Sequence, residues 1–258
     1  MNCQFLNSES WVILSAIEKQ IKEKIERIGT PLKNWDIQIN YGIKTGFNDA
    51  FIIDGAKRRE LIEIDPKSED IIRPLLRGRD IKRYTYEFAD LYLITTFPSL
   101  KIDIELYPAV KQHLMSFGYD RLKQTGDKGA RKKTNNQWFE TQDSIGYWED
   151  FSKQKIMYPD IAEKLSFSLV NEEAYSNNTV YFIVSATEDL EYLLKFLNSN
   201  LIDWYYRTLS VQLGEAAVRM FSIYVLNIPI PKNRIKNIYE AYNLTHEEIS
   251  YIESISCN

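Results

Sequence analysis

Tyr41-Gly42-Ile43-Lys44-Thr45-Gly46-Phe47-Asn48-Asp49-Ala50-Phe51-Ile52-Ile53-Asp54 places a polar, glycine-bearing loop between two short apolar runs, residues 37–43 and 50–53. Gly42 and Gly46 permit backbone angles that a Cβ resists. Lys44, Thr45 and Asn48 bring a cation, a hydroxyl and an amide to the tip of a strand pair. Those are the groups that grip phosphates and base edges. A solvated hairpin loop has the same composition, so residue chemistry leaves both readings open.

Downstream lies Ile71-Ile72-Arg73-Pro74-Leu75-Leu76-Arg77-Gly78-Arg79-Asp80-Ile81-Lys82-Arg83-Tyr84. Next come Leu91-Tyr92-Leu93-Ile94, Tyr107-Pro108, Trp138-Phe139, Lys155-Ile156-Met157-Tyr158-Pro159-Asp160-Ile161, Leu197-Asn198-Ser199-Asn200-Leu201 and Ile228-Pro229-Ile230-Pro231. This ordered series resembles the TaqI-like C-terminal specificity domain, the target recognition part of adenine-specific DNA methyltransferases and type IIG restriction–modification enzymes. The resemblance covers residues 10–255, and its specificity lies in the order of the pieces rather than in any one of them. It implies an N-terminal helix that links to a catalytic domain. It also implies double-stranded DNA as a partner, and S-adenosylmethionine held by a catalytic domain absent from this chain, either N-terminal in a parent protein or on a separate chain.

At 258 residues the chain is long enough for a full core. Its formal charge is −4, so the molecule as a whole does not advertise affinity for nucleic acid. Attraction to phosphate must come from local patches, because screening limits each charge to about 10 Å at ordinary salt. Cys3 and Cys257 are its 2 cysteines, which excludes a disulfide framework and a cysteine-rich zinc site. No apolar run reaches the length of a membrane span, and Glu9 and Trp11 interrupt any signal-peptide pattern. The expected location is cytoplasmic, without membrane contact.

The pattern predicts an α+β (mixed α/β) fold, with antiparallel-rich sheets, a helical C-terminal part and an N-terminal linker helix. Trp11, Leu14, Ile17, Ile21, Ile25 and Ile28 recur at helical spacing over 10–28, with Ser8 or Ser10 as cap and Gly29 and Pro31 as the stop. Strands are predicted at 37–43, 50–54, 61–64, 91–96, 155–158 and 179–184, and helices at 69–76, 104–115, 188–198 and 201–209. A last helix follows Thr245, whose capping box is completed by Glu248. The expected division is a linker helix over 1–34, a DNA target recognition domain over 35–235 and a C-terminal helix over 236–258. Within it, 118–148 reads as a basic loop or insertion, poor in aliphatics and carrying Gly126, Gly129 and Gly146.

Two basic patches stand out. The first is Arg73, Arg77, Arg79, Lys82 and Arg83 around one carboxylate, Asp80. Its arginine forks suit phosphate and guanine, and suit pairing with Glu69 and Asp70 equally well. The second is Arg121, Lys123, Lys128, Arg131, Lys132 and Lys133, followed by Asn135, Asn136, Gln137 and Trp138. Amides beside cations are what adenine and phosphate contacts require, and here the reading favours DNA over a plain charged loop. Toward the end, Arg207, Gln212, Gly214 and Arg219 punctuate an apolar stretch. Arg219 either touches the DNA backbone or neutralises Glu215, with the second reading preferred.

Catalysis finds little support. The Asn/Asp-Pro-Pro-Tyr/Phe tetrapeptide of adenine methyltransferases is missing, as is a glycine-rich turn for the methyl donor. His113 and His246 lack metal-ligand spacing. Asp54 with Asp65-Pro66-Lys67 is the nearest approach to a metal-dependent nuclease site, and it reads better as a turn. Neither a catalytic nor a metal-binding residue is expected. The function expected is therefore sequence-specific reading of duplex DNA. Two rivals are a scaffold that docks through an exposed isoleucine stripe on the first helix, and a stand-alone nuclease.

Overall fold

The computed structural model describes residues 14–256 other than 211, 214–216 and 236. The fold is α+β. Strand Val180–Val184 lies between Gln38–Tyr41 and Lys155–Pro159, and the last of these also pairs with Ser168–Val170, all antiparallel. This central sheet is covered on both faces. Side chains alternate across a strand, so Met157 and Phe182 enter one hydrophobic core while Ile156, Tyr158 and Ile183 enter another. Burial on both sides explains why 155–159 is inaccessible along its whole length.

The first core holds a second sheet in the order Ile52–Asp54, Leu91–Ile94, Ile72–Leu76, Tyr175–Ser176, whose last pairing is parallel. The second core is helical, built from Ala16–Ile28, Leu190–Leu197, Asn200–Arg207 and His246–Ser256. Ser15 caps the first helix in a capping box with Glu18; Ser8, Ser10 and Trp11 lie outside the described residues. Ile21 and Ile25 are fully buried in the molecule's own core, so the isoleucine stripe is not an exposed docking face. Burial of each contributes ~1.5–3 kcal/mol. Between the second and third of these helices, Asn198 is buried. Its Oδ1 accepts from Phe167 N and its Nδ2 donates to Phe167 O, while Ser199 caps the next helix. The joint motif at 197–201 is thus a structural splice. The last helix has its capping box, with Glu248 accepting from Thr245 N at 2.7 Å and Thr245 Oγ1 accepting from Glu248 N at 3.3 Å.

Four predicted elements differ. Residues 50–51 end the short helix Asn48–Phe51, so only Ile52–Asp54 is strand; it pairs with Leu91–Ile94 while Gln38–Tyr41 pairs with Val180–Val184, and the loop between them is therefore not the tip of a strand pair. Residues 61–64 end helix Gly55–Ile64 instead of forming a strand: Asp54 caps that helix by accepting from Lys57 N, and a four-residue apolar run does not reveal its period. Residues 69–76 are a 3-10 turn, Pro66–Ile71, followed by strand Ile72–Leu76. Pro74 forbids a helix there, and the strand tolerates it because pairing to Tyr175–Ser176 begins only at Leu75. The helix expected over 104–115 breaks at Tyr107, which the ring of Pro108 keeps out of the helical region, at φ −128° and ψ 64°. Pro108 opens helix Pro108–Met115.

Candidate nucleic-acid interface

A tight turn at 177–180 forms the centre of the site, with Val180 N donating to Asn177 O at 3.1 Å. Two loops seat on it. Gly42 N donates to Val180 O and Ile43 N to Ser176 O, and a Cβ on Gly42 would lie 1.9 Å from Asn177 O. Gly42 is therefore required for close approach. On the other side Gly78 N donates to Thr179 Oγ1 at 2.8 Å, and a Cβ there would meet Thr179 O at 2.8 Å. The turn is a ridge between two cavities. Asn178 lines one of ≈ 370 Å³, and Asn177 with Thr179 lines another of ≈ 400 Å³.

The first cavity is lined by Lys44, Phe47, Asn48, Arg121, Gln142 and Asn178. Lys44 is exposed, its ammonium 5.5 Å from the Tyr41 ring. The Arg121 guanidinium stacks 3.9 Å over Phe47, which fixes a cation at the cavity edge. Asn48 is exposed, but its Oδ1 accepts from Thr45 Oγ1 at 2.7 Å. Thr45 is a correction to the sequence reading. Its side chain is buried and closes a local turn by accepting from Phe47 N, so it is not presented to a ligand. Gly46 takes φ +78°, the left-handed angle expected of it.

Arg131 is the second correction. It is 2% exposed, and its fork donates to the carbonyls of Leu122, Thr45, Glu140 and Trp138 at 2.6–2.8 Å. Burial lowers its pKa to about 10, which leaves it charged at neutral pH. It organises the 123–141 loop from within and is not presented at the surface. Leu122, Phe139 and Ile145 carry this region into the first core. Asn136 is likewise internal, with Nδ2 donating to Thr141 O and Gln142 O. Lys123 pairs with Asp120 at 2.9 Å, and that hydrogen bond raises its pKa. Lys128, Lys132, Lys133, Asn135 and Gln137 are exposed. Trp138 is half-buried and packs edge-on against Phe139 and Tyr119.

Arg77, Arg79, Asp160, Asn177 and Thr179 line the second cavity. Arg77 is bidentate to Asp80 at 2.8 and 2.9 Å. Burial pushes the Asp80 carboxyl up, but the hydrogen bonds from Arg77 outweigh it and hold the group below its ordinary range. The Arg77 fork is therefore engaged internally. Arg83 donates to the Asn198 carbonyl at the helix joint and lies over Tyr84, away from the turn. Arg73 donates to Asp70 O at 2.9 Å. Lys82 is exposed and holds Arg79 O at 2.9 Å, while the Arg79 side chain is exposed. Arg219, on strand Ala217–Arg219, sits opposite Ile161 and lies over Phe221. Its expected partner Glu215, and Gly214, lie outside the described residues. Arg207 pairs with Asp203 at 3.0 Å.

The site brings together Lys44, Asn48 and Arg79, and it adds Gln142, Asn177 and Asn178, which the sequence reading did not single out. The signal available was the polar run Ser176-Asn177-Asn178-Thr179 between apolar segments, which marks a turn. Asp54 and Asp65 cap opposite ends of one helix and its successor, so they make no shared site. Among the described residues no group of three or more His, Cys, Asp or Glu could hold a metal, and no helix is long and apolar enough to cross a membrane. His113 is half-buried against Ala50 O, and burial lowers its pKa.

Comparison with known proteins agrees with this architecture. The chain is 23% identical over 227 residues to the type II methyltransferase M.PaeR7I of Pseudomonas aeruginosa, across 87% of this chain and 38% of that protein. The chain thus spans well under half of that relative. In fold it is similar to the type IIG restriction endonuclease BpuSI (TM-score 0.56, 13% identity, 93% of this chain and 28% of that one). It is also similar to the type IIL restriction–modification enzyme MmeI, solved in complex with DNA (TM-score 0.50, 16% identity, 77% and 25%). Residues 73–230 match the TaqI-like C-terminal specificity domain. With more than half its length matched, the chain belongs to the TaqI-like C-terminal specificity domain family.

Proposed function

We propose that this chain reads the sequence of double-stranded DNA as the specificity domain of an adenine-N6 methyltransferase or a type IIG restriction–modification enzyme. The carrying observation is the 177–180 ridge flanked by two cavities whose linings combine exposed cations with amides. Lys44, Arg79, Lys128, Lys132 and Lys133 fix register on phosphates, and Asn48, Gln142 and Asn178 read base edges. Membership of the specificity-domain family supports this reading, as does similarity to an enzyme solved with DNA.

A catalytic domain, in the same protein or on a partner chain, flips the adenine and holds S-adenosylmethionine. The residues here do not fit that cofactor. At the strand-to-helix turn Asp54–Gly55, the helix start is capped by Asp54, and a Cβ on Gly55 would meet the Asp90 carboxylate at 2.1 Å. The chain works in the cytoplasm, alongside DNA, and is not itself an enzyme. Selection of duplexes from a random library by the purified chain, followed by fluorescence anisotropy on the winner and a scrambled control, tests the reading. A consensus bound more tightly than the control is expected; equal binding of both overturns it.

A further inference from the structure

Asp160 is the unexpected charge in the second cavity. It follows strand Lys155–Pro159, and its main chain is clamped on both sides: Asp160 N donates to Thr179 O and Asp160 O accepts from Met220 N, each at 2.9 Å. The carboxylate position is therefore set by the sheets rather than by a mobile loop. No ion pair within 4.0 Å reaches it among the described residues. Burial raises its carboxyl above the usual range, and hydrogen bonds from the Asp160 and Ile161 main chain together with attraction from Arg219 only partly offset this. Arg77, on the same cavity, is engaged by Asp80, whereas Arg79 is exposed and forms no ion pair among the described residues. One cavity thus presents an acceptor-only group and a donor-only fork that do not neutralise each other.

A carboxylate on a surface that meets phosphates is repulsive unless the ligand brings it a hydrogen-bond donor. The major groove offers two amines, N6 of adenine and N4 of cytosine. Adenine places its N7 acceptor beside N6, which suits an amide and repels a second carboxylate oxygen. Cytosine has no such neighbour, and its paired guanine offers O6 and N7 to a guanidinium fork. We propose that Asp160 and Arg79 together read one C·G base pair, Asp160 accepting from cytosine N4 and Arg79 donating to the guanine edge. This rests on the DNA-reading function proposed above and assigns part of its specificity.

The test uses the full chain. Duplex selection is run with the wild type, Asp160→Asn and Asp160→Ala, and then each C·G pair of the wild-type consensus is replaced in turn with N4-methylcytosine·G, whose methyl group occupies the major-groove donor position. One C·G position is expected at which N4-methylation weakens wild-type binding about tenfold and leaves Asp160→Ala unaffected. Both variants should lose cytosine preference at that position alone. A wild type that selects no consensus overturns the DNA-reading function and this assignment with it. A wild-type consensus that both variants share, or a uniform loss at every position, overturns the assignment and leaves the function standing. The N4-methylcytosine series on the wild type decides the matter even if a variant fails to fold: no sensitive C·G position means no carboxylate–cytosine contact.

Discussion

Arg131 Nη1 donates to the carbonyl oxygen of Thr45 at 2.8 Å, bridging 86 positions of sequence. The same nitrogen holds Glu140 O, and the rest of the fork holds Leu122 O and Trp138 O. A cation that by composition belongs to a DNA-binding patch is instead the post to which the 42–48 loop and the 123–141 loop are both tied. The Gly46 backbone lies against it, since a Cβ there would sit 3.1 Å from Arg131 Cδ.

Arg131→Ala should therefore lower stability rather than simply weaken DNA binding. Loss of the fork leaves the Leu122, Thr45 and Trp138 carbonyls without their donor, each costing ~1–3 kcal/mol if nothing replaces it, while Glu140 O keeps Gln124 Nε2 at 3.0 Å. With partial relaxation a net loss of about 3 kcal/mol is expected in urea denaturation. Arg131→Lys should recover little, because one ammonium cannot reproduce four planar, divergent donors. An unchanged urea midpoint with reduced DNA affinity would instead mean that Arg131 faces the ligand.

Lys155 makes the stability depend on pH. It is fully buried at the start of strand Lys155–Pro159, where its ammonium donates to Lys153 O and Glu172 O and, among the described residues, has no carboxylate within ion-pair distance. Burial lowers its pKa to about 8 from 10.5, and nearby Glu172 and Glu173 offset only part of that. Between pH 8 and 10.5 the unfolded chain binds the proton and the folded chain does not, so the contribution of Lys155 to stability rises with pH across that window, opposed toward pH 10 by buried tyrosines whose hydroxyls are held protonated. At ~1.4 kcal/mol per unit the rise is at most ~3.5 kcal/mol. Denaturation of the wild type at pH 7.5 and 9.5 should show part of this gain, and Lys155→Met should flatten it.

How much of this was legible in the sequence depends on whether the interaction is local. The Thr245–Glu248 box and the strands at 155–158 and 179–184 rest on short-range signals and were readable, whereas the helix start at Pro108 was placed too early, at 104. The reversal at 69–76 turns on one residue, Pro74, whose veto on a helix was outweighed by the apolar run around it. At the site, sequence identifies donors and acceptors but not their partners. Arg77 and Arg79 look alike in the sequence, yet Asp80 engages the first and leaves the second exposed. Thr45 and Arg131 were assigned to DNA because their real partners, Asn48, Phe47 and four carbonyls, are specified by folded geometry.

The glycines separate close approach from backbone angle. Gly42→Ala must displace the 177–180 turn, since its Cβ would fall 1.9 Å from Asn177 O. Gly118 has φ +87° and ψ 132°, a backbone region essentially reserved for glycine, but open space around its Cβ position, so Gly118→Ala carries a backbone penalty of about 1–3 kcal/mol with no steric clash. Thermal melting should show a clearly larger loss for Gly42→Ala, together with reduced DNA affinity. Equal losses would show that the turn yields readily and does not hold the two cavities in register.

Exposed and engaged cations should differ in how salt affects binding. Lys44, Arg79 and Lys132 are exposed, and each released phosphate contact should reduce the slope of log K against log salt by roughly 0.9. Lys44→Ala, Arg79→Ala and Lys132→Ala are expected to lower affinity for the selected duplex and flatten the slope, with melting temperature unchanged. Arg77→Ala and Arg83→Ala remove internal contacts to Asp80 and to the Asn198 carbonyl, so they should lower the melting temperature while leaving the slope near that of the wild type. The comparison is made by anisotropy titration between 50 and 200 mM salt. If Arg77→Ala flattens the slope as much as Arg79→Ala, the Asp80 pair opens on binding, and the division between structural and phosphate-binding arginines drawn from the free protein does not hold in the complex.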